Sequence, residues 1–541
     1  MSSALPPTIE ARPQSSERRV AINSGLLLAA FAIQSVVSLV VVGLVARYLG
    51  QAGLGRYAYV ISFIELVVVF IDLGMSRIQV RDAARDLPHA GRYSSAIFTL
   101  RVLLSAVLLA VLALAAASSG DPELWLAILV FGAAQALYLL GDVFGSIFQA
   151  HQRMVFQFWG LTLGQVFQLL LTVAVIGLDL GLVALFGARL AANAIALAYQ
   201  WWVAERRFAH TRVAWSLVPA SLEAAIRLPG RLWARLKGRP STAPSSRWPE
   251  AALAWRMLVD SLPVGLSLVL RSYIWRGGVV LTVLWLGQAQ GDLVNGVLYG
   301  PLRVVQQMRI LPAAFAGAML PVFSKRAAAR PEQFDVAFVK STKLFTAISL
   351  LLVLAFLFLA DPIVILLLGE GVDLAGAAQV LRVLGLVTPL FFFNWLYGVT
   401  LVSQGRQRLE TLGLALGLAA GFLFAWWAIP RLYAVGVSGA ILVAEGVPFV
   451  IGTVAMWRHF QWQRTWPSLA KIVASCAVSG LVFALGNRLW TGEVAGTRAA
   501  FVQSSVLGAL GLAAFLAALW LLRTFDEDER VAIRAMLRLG R

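Results

Sequence analysis

An all-α polytopic membrane protein is the fold this sequence predicts. Three observations carry that expectation: the apolar share of the chain, the recurrence of apolar runs long enough to cross a bilayer, and the connections in which basic residues fall. Of 541 residues, 60% are hydrophobic and only 13% charged, with mean hydropathy +0.79, outside the usual make-up of soluble domains. The net charge of +18 raises nucleic acid as a partner, but Lys and Arg sit in short clusters between apolar runs, a pattern of membrane topology that argues against one. The lone Cys476 supports neither an internal disulfide framework nor a thiolate metal site.

A spanning helix needs roughly 20 apolar residues, and about fourteen segments supply them. They run 20 to 46, 54 to 79, 93 to 117, 123 to 149, 154 to 178 and 181 to 204. After a polar linker come 253 to 286, 292 to 323, 336 to 359, 375 to 403, 409 to 429, 435 to 457, 468 to 489 and 499 to 522. The first stretch, 1–19, contains Pro6, Pro7 and Pro13 among polar residues and reads as a cytoplasmic tail, with the first apolar segment an uncleaved insertion signal. Basic residues recur in every second connection: Arg77, Arg81, Arg85 and Arg92; Arg153; Lys325, Arg326 and Arg330; Arg406 and Arg408; Arg458 and Arg464. The intervening connections 118 to 123, 177 to 181, 287 to 292 and 360 to 376 contain no Lys or Arg. Arg47, Arg56, Arg431, Arg488 and Arg498 are exceptions on that side. The bias places the basic loops and both termini, including 524–541, in the cytoplasm.

The linker 207–252 places Leu228, Leu232 and Leu236 beside Arg227, Arg231 and Arg235 at a four-residue period. That spacing suits a basic amphipathic helix on an anionic membrane lipid face, and equally a solvated basic linker. The linker separates an N-terminal six-helix lobe, 20–206, from a C-terminal one, 253–460, and two extra helices occupy 461–523. The halves share punctuation. LGQA occurs at 49–52 and 286–289; FQAHQRM around Gln152 matches VSQGRQRL around Gln407, a shift of 255, and Gly181 and Gly436 keep that shift. Copies with an even helix number insert in the same orientation, which predicts two pseudo-symmetric lobes around a central cavity and alternating access.

Polar residues within the spans are costly in lipid and mark candidate functional positions. Ser62, Glu65, Asp72, Ser76 and Gln79 share one face of the second segment at helical spacing, and Gln135, Asp142, Ser146 and Gln149 one face of the fourth. The fifth contributes Gln165 and Gln168, and the sixth Arg189, Asn193 and Gln200. Such stripes suit a water-filled cavity, with interhelical bonding the competing role of any single residue. In the seventh segment Asp260, Ser267 and Arg271 share a face, with Pro263 bending the helix near its cytoplasmic end, and the eighth carries Arg303, Gln306, Gln307 and Arg309. Arginines at this depth require an anion: a ligand phosphate, or for Arg271 and Arg303 the carboxylates of Asp260 or Glu445. There is no P-loop or His cluster, only four histidines and no large extracytoplasmic loop, so the chain reads as a transporter without catalytic residues, cofactor or metal.

The segment LVARYLGQAGLGRYAYVISFIELVVVFIDLGMSRIQVRDAAR resembles the first helical hairpin of bacterial polysaccharide-biosynthesis flippases of the multidrug/oligosaccharidyl-lipid/polysaccharide (MOP) exporter superfamily. Ala46, Arg47, Leu49, Gly50, Gly55 and Tyr57 match its first element, and Asp72, Gly74 and Arg81 its second. LPAAFAGAMLPVFSK, with Pro321 and Ser324, resembles the end of the family's eighth helix, and LVSQGRQRL its turn between helices ten and eleven. The resemblance extends from about residue 20 to 523 and implies a 14-helix two-lobed fold in a bacterial cytoplasmic membrane. It further implies an undecaprenyl-diphosphate-linked oligosaccharide as substrate, with polysaccharide polymerase and export machinery as partners and Na+ or H+ as coupling cation. Arg276 departs from the pattern, standing near where these flippases often carry an aspartate. The alternatives are a lipid II flippase, a multidrug antiporter of the same superfamily, or a non-transporting scaffold of a polysaccharide synthase complex.

Overall fold

The computed structural model describes residues 13–117, 120–208, 249–313, 315, 319, 323, 331–490 and 496–524. The linker helix around Leu232, the basic turn at Lys325, Arg326 and Arg330, the Pro321–Ser324 match and the tails at 1–12 and 525–541 lie outside the described residues. Among those described, all regular structure is helical. The helices are α1 (Pro13–Asp72), α2 (Met75–Arg85), α3 (Ala90–Ala117), α4 (Pro122–Ala150), α5 (Met154–Gly177), α6 (Gly181–Arg207), α7 (Pro249–Leu286) and α8 (Gln288–Met308). They continue as α9 (Pro331–Phe358), α10 (Ala360–Leu368), α11 (Leu374–Gly385), α12 (Val387–Ser403), α13 (Gln407–Met456), α14 (Trp462–Leu489) and α15 (Thr497–Leu521).

Eleven stretches among the described residues are long and apolar enough to cross a membrane. Two are far longer than one crossing: Gly25–Arg85 has 61 residues and Gln407–Phe460 has 54. At about 1.5 Å per residue, 61 helical residues would reach about 90 Å, three times the hydrocarbon thickness. Each is interrupted instead. Gly50 breaks α1 at φ 66°, ψ −172°, and Tyr433 breaks α13 at φ 50°, ψ −121°. Leu73 (φ 42°) and Gly74 (φ 78°) then separate α1 from α2, so the polar stripe drawn from Ser62 to Gln79 does not run along one continuous helix. A short helix, α10, also stands where the sequence suggested only a connection.

Two compact units emerge. Unit 1 holds residues up to Val37, Ile71–Val175 and Val183–Pro263, and unit 2 holds Ser38–Phe70, Ile176–Leu182 and Val264 onward. Unit 1 packs Phe144, Ile147 and Phe148 of α4 against Val203 and Ala204 of α6, with a second cluster joining Met75, Ile97, Val143 and Met257. In unit 2, Trp275 of α7 meets Phe391 of α12 edge-on at 5.8 Å, and α14 and α15 bury Ile472, Cys476, Phe515 and Leu519 with Ala347 of α9. Such packing replaces the hydrophobic drive that is absent between helices in lipid.

Within unit 2 the LGQA copies behave alike. Each places its glycine at positive φ, Gly50 at 66° and Gly287 at 80°, where a Cβ is strongly disfavoured, and a helix leaves from each. Gly55 and Asp292, the positions six residues after Leu49 and Leu286, meet: a Cβ on Gly55 would overlap the Asp292 carbonyl. Nearby, Gly296 lies against the Gln51 carbonyl with equally little space. Polar side chains close the surrounding backbone, as Arg47 donates to the Leu366 carbonyl (2.7 Å) and Gln51 to that of Leu293 (2.9 Å). At the turn after α2, the His89 imidazole bonds Asp86 at 2.9 Å and holds that carboxyl below its usual range.

Candidate functional site

Unit 1 gathers predicted carboxylates around a residue that sequence reasoning missed. Asp72, at the end of α1, accepts from Ser76 (3.0 Å) and from the Gly74 amide (3.2 Å) across the αL break. Ser76 also bonds Asp142 of α4. Between the two aspartates lies Arg101 of α3, its side chain fully buried. It bonds Asp72, Ser76 at 2.6 Å, the Leu139 carbonyl at 2.5 Å and Asp142 at 3.4 Å. Removing Arg101 would leave two carboxylates facing each other in a medium where an unpaired charge costs several kcal/mol. One guanidinium against two carboxylates leaves one negative charge.

Asp142 also stands on a cleft between α4, α5 and α6, lined by Gln157, Gln165, Asn193 and Gln200 and floored by glycines. Asn193 donates to the Ala134 carbonyl at 2.7 Å, and Arg189 bonds Gln168. Gln135 is buried on α4. Asp260 lies 3.7 Å from Arg81.

Unit 2 collects the arginines. Arg271 pairs with Glu410 of α13 at 3.2 Å and lies over the Trp395 ring, so its carboxylate partner is neither Asp260 nor Glu445. One turn earlier on α7, Ser267 meets Thr411 at 3.1 Å, which fixes that face against the start of α13. Arg276 bonds Glu65 and reaches Ser272 at 3.3 Å. Glu445 is fully buried and accepts from Trp275 Nε1 and Asn394 Nδ2, each at 2.6 Å. Arg303 bonds Tyr299 at 2.9 Å and lies over its ring, while Arg309 lies over Trp275 with its Nε buried and unbonded. Gln307 reaches Ser38 at 3.4 Å. The four guanidiniums of Arg271, Arg276, Arg303 and Arg309 face three carboxylates, Glu65, Glu410 and Glu445, leaving one positive charge. Among the described residues, Arg303 and Arg309 are held by aromatic rings rather than by direct ion pairs.

The structure therefore brings Asp72 and Asp142 together, and places Arg271, Arg303, Glu65 and Gln307 in unit 2. Asp260 is paired elsewhere, and Gln135, Gln165, Gln168, Arg189 and Asn193 lie on α4 to α6. Arg101, Glu410 and Trp275 were not singled out. Arg101 and Trp275 signal themselves only as an ionisable and an indole group inside apolar runs, and Glu410 only as an acid beside the basic connection at Arg406 and Arg408, none with the partner that gives it meaning.

Unit 1 thus holds a polar cluster with a negative excess and unit 2 one with a positive excess, both inside a multi-pass helical membrane fold. Solved structures agree on the fold. A MATE-family multidrug resistance transporter of the MOP superfamily, inward-facing, is similar with TM-score 0.61 at 16% identity, covering 82% of this chain and 96% of that one. The lipid II flippase MurJ, inward closed, gives TM-score 0.63 at 12% identity over 91% and 99%. A MOP superfamily transporter from Pyrococcus furiosus, described as having a binding pocket of reverse polarity, gives 0.55 at 18% over 84% and 96%. No curated protein matches the chain. The model of the polysaccharide biosynthesis protein family matches residues 20–327, and that of the MatE family residues 281–427. The chain belongs to the polysaccharide biosynthesis protein family.

Proposed function

We propose that the chain is a flippase that carries undecaprenyl-diphosphate-linked oligosaccharide across a bacterial cytoplasmic membrane by alternating access, with about fourteen crossings and both termini cytoplasmic. The observation that carries this reading is the positive excess among the unit 2 arginines: Arg271, Arg303 and Arg309 each lie over an aromatic ring, and Arg271 Nη1 and Arg309 Nε are buried without a hydrogen-bond partner. A diphosphate supplies acceptor oxygens matched to such forks. In unit 2, Arg271, Arg303 and Gln307 are the residues proposed to contact the diphosphate; in unit 1, Asp260 and the polar residues of α4 to α6 are proposed as contacts for polar groups of the cargo. Glycan polymerase and export machinery receive the product.

The negative excess at Asp72, Asp142 and Arg101 favours a second role in the same cycle, binding of a coupling Na+ or H+, which also keeps an antiporter reading in play. The test is accessibility of an undecaprenyl-diphosphate oligosaccharide on the outer face of loaded proteoliposomes. Protein-dependent exposure, lost in Arg271→Ala and Arg303→Ala at unchanged insertion, is the expected result. Absence of exposure across several glycans favours the antiporter or scaffold, and normal exposure in both variants removes the arginines from the path.

A further inference from the structure

The cleft between α4, α5 and α6 contains an unsettled polar account. Gln157, Gln165 and Gln200 are only 6%, 7% and 5% exposed, and the Oε1 atoms of Gln157 and Gln200 are buried without a hydrogen-bond partner. Inside a membrane protein such amides are costly unless something bonds them. Glycines hold the cleft open. The Gln200 amide lies across Gly160, where a Cβ would stand 2.6 Å from Nε2, and across Gly141, at 3.0 Å from Oε1. The Gln157 amide lies across Gly145, at 3.3 Å. The water-accessible volume is about 30 Å³, room for about two waters, or for the hydroxyls that would replace them.

We infer that this cleft reads the hydroxyl groups of a neutral sugar, which makes it the glycan-selective subsite of the transporter; the inference rests on the flippase reading above. Amide side chains present acceptor and donor together, and a hydroxyl is the ligand group that answers both. A phosphate brings acceptors alone and would meet Asp142 at the rim. A cation would draw on the same two Oε1 atoms, but three neutral amides with a carboxylate already shared between Arg101 and Ser76 suit a neutral hydroxyl better, and the Na+ arm of the test separates the two.

The test uses the full chain in nanodiscs. Binding is compared for undecaprenyl diphosphate, the same lipid bearing glucose, galactose or N-acetylglucosamine, and the three free methyl glycosides. At least one sugar is expected to tighten lipid binding, and Gln157→Leu and Gln200→Leu each to remove about five- to ten-fold of that gain, the scale of one or two hydrogen bonds, with bare-lipid affinity unchanged. Gly160→Ala, which displaces the Gln200 amide without deleting a polar group, is expected to weaken the same gain. A sugar gain that survives all three variants overturns the subsite alone. Glycoside binding that the variants abolish, with no lipid bound, upholds the subsite and overturns the flippase reading. Binding of neither lipid nor glycoside overturns both, and Na+-dependent stabilisation lost in the variants overturns the sugar assignment for a cation site.

Discussion

At Arg101 a single guanidinium serves two aspartates that reach it from different helices. Arg101→Met is expected to destabilise the protein by about 3–5 kcal/mol, because it strips the counter-charge from both. The triple variant with Asp72→Asn and Asp142→Asn should recover most of that loss, and thermal unfolding in detergent measures both. Equal loss in the single and triple variants would mean that packing of the arginine stem, not its charge, is what matters. Asp72 and Asp142 were legible as polar groups at helical spacing in apolar runs. Arg101 was not, since a lone arginine in AIFTLRVLLSAVL carries no information about which neighbouring helix faces it. The same blindness assigned Arg271 the wrong candidate partners: Asp260 shares its helix face, while Glu410 lies 139 residues away along the chain.

Elements depend on a few backbone positions. Gly50 adopts a conformation reserved for glycine, so Gly50→Ala is expected to cost about 1–3 kcal/mol. Gly55→Val should cost at least as much, since the second limb of α1 would be pushed off α8. Melting temperatures of the purified variants, with Gly25→Ala as a control that meets nothing within 4 Å, check both. Helix existence was largely readable, because runs of twenty apolar residues admit few alternatives in lipid. The exceptions have physical causes. α10 has nine residues, about 14 Å, too short to register as a crossing. The break at Leu73 and Gly74 coincides with a fall in hydropathy into MSRIQVRDAAR, but the helical spacing of Asp72, Ser76 and Gln79 carried the second segment through it.

For the whole molecule, composition decided the class, and the alternation of basic connections predicts an orientation. Alkaline phosphatase fused after Gly120, Asp179 or Gly371 is expected to be active, and after Asp86, Gln152 or Gly405 inactive. The reverse pattern would invert the topology on which the direction of transport depends. The repeat was visible as scattered punctuation; its meaning became visible where Gly55 and Asp292 meet. When equivalent positions of two copies touch, the contact lies on the axis relating them, as it does in a self-complementary dimer. On such an axis a glycine opposite the carbonyl of its counterpart is the smallest possible neighbour, so the closeness of the two backbones, not any side-chain chemistry, is what this position contributes.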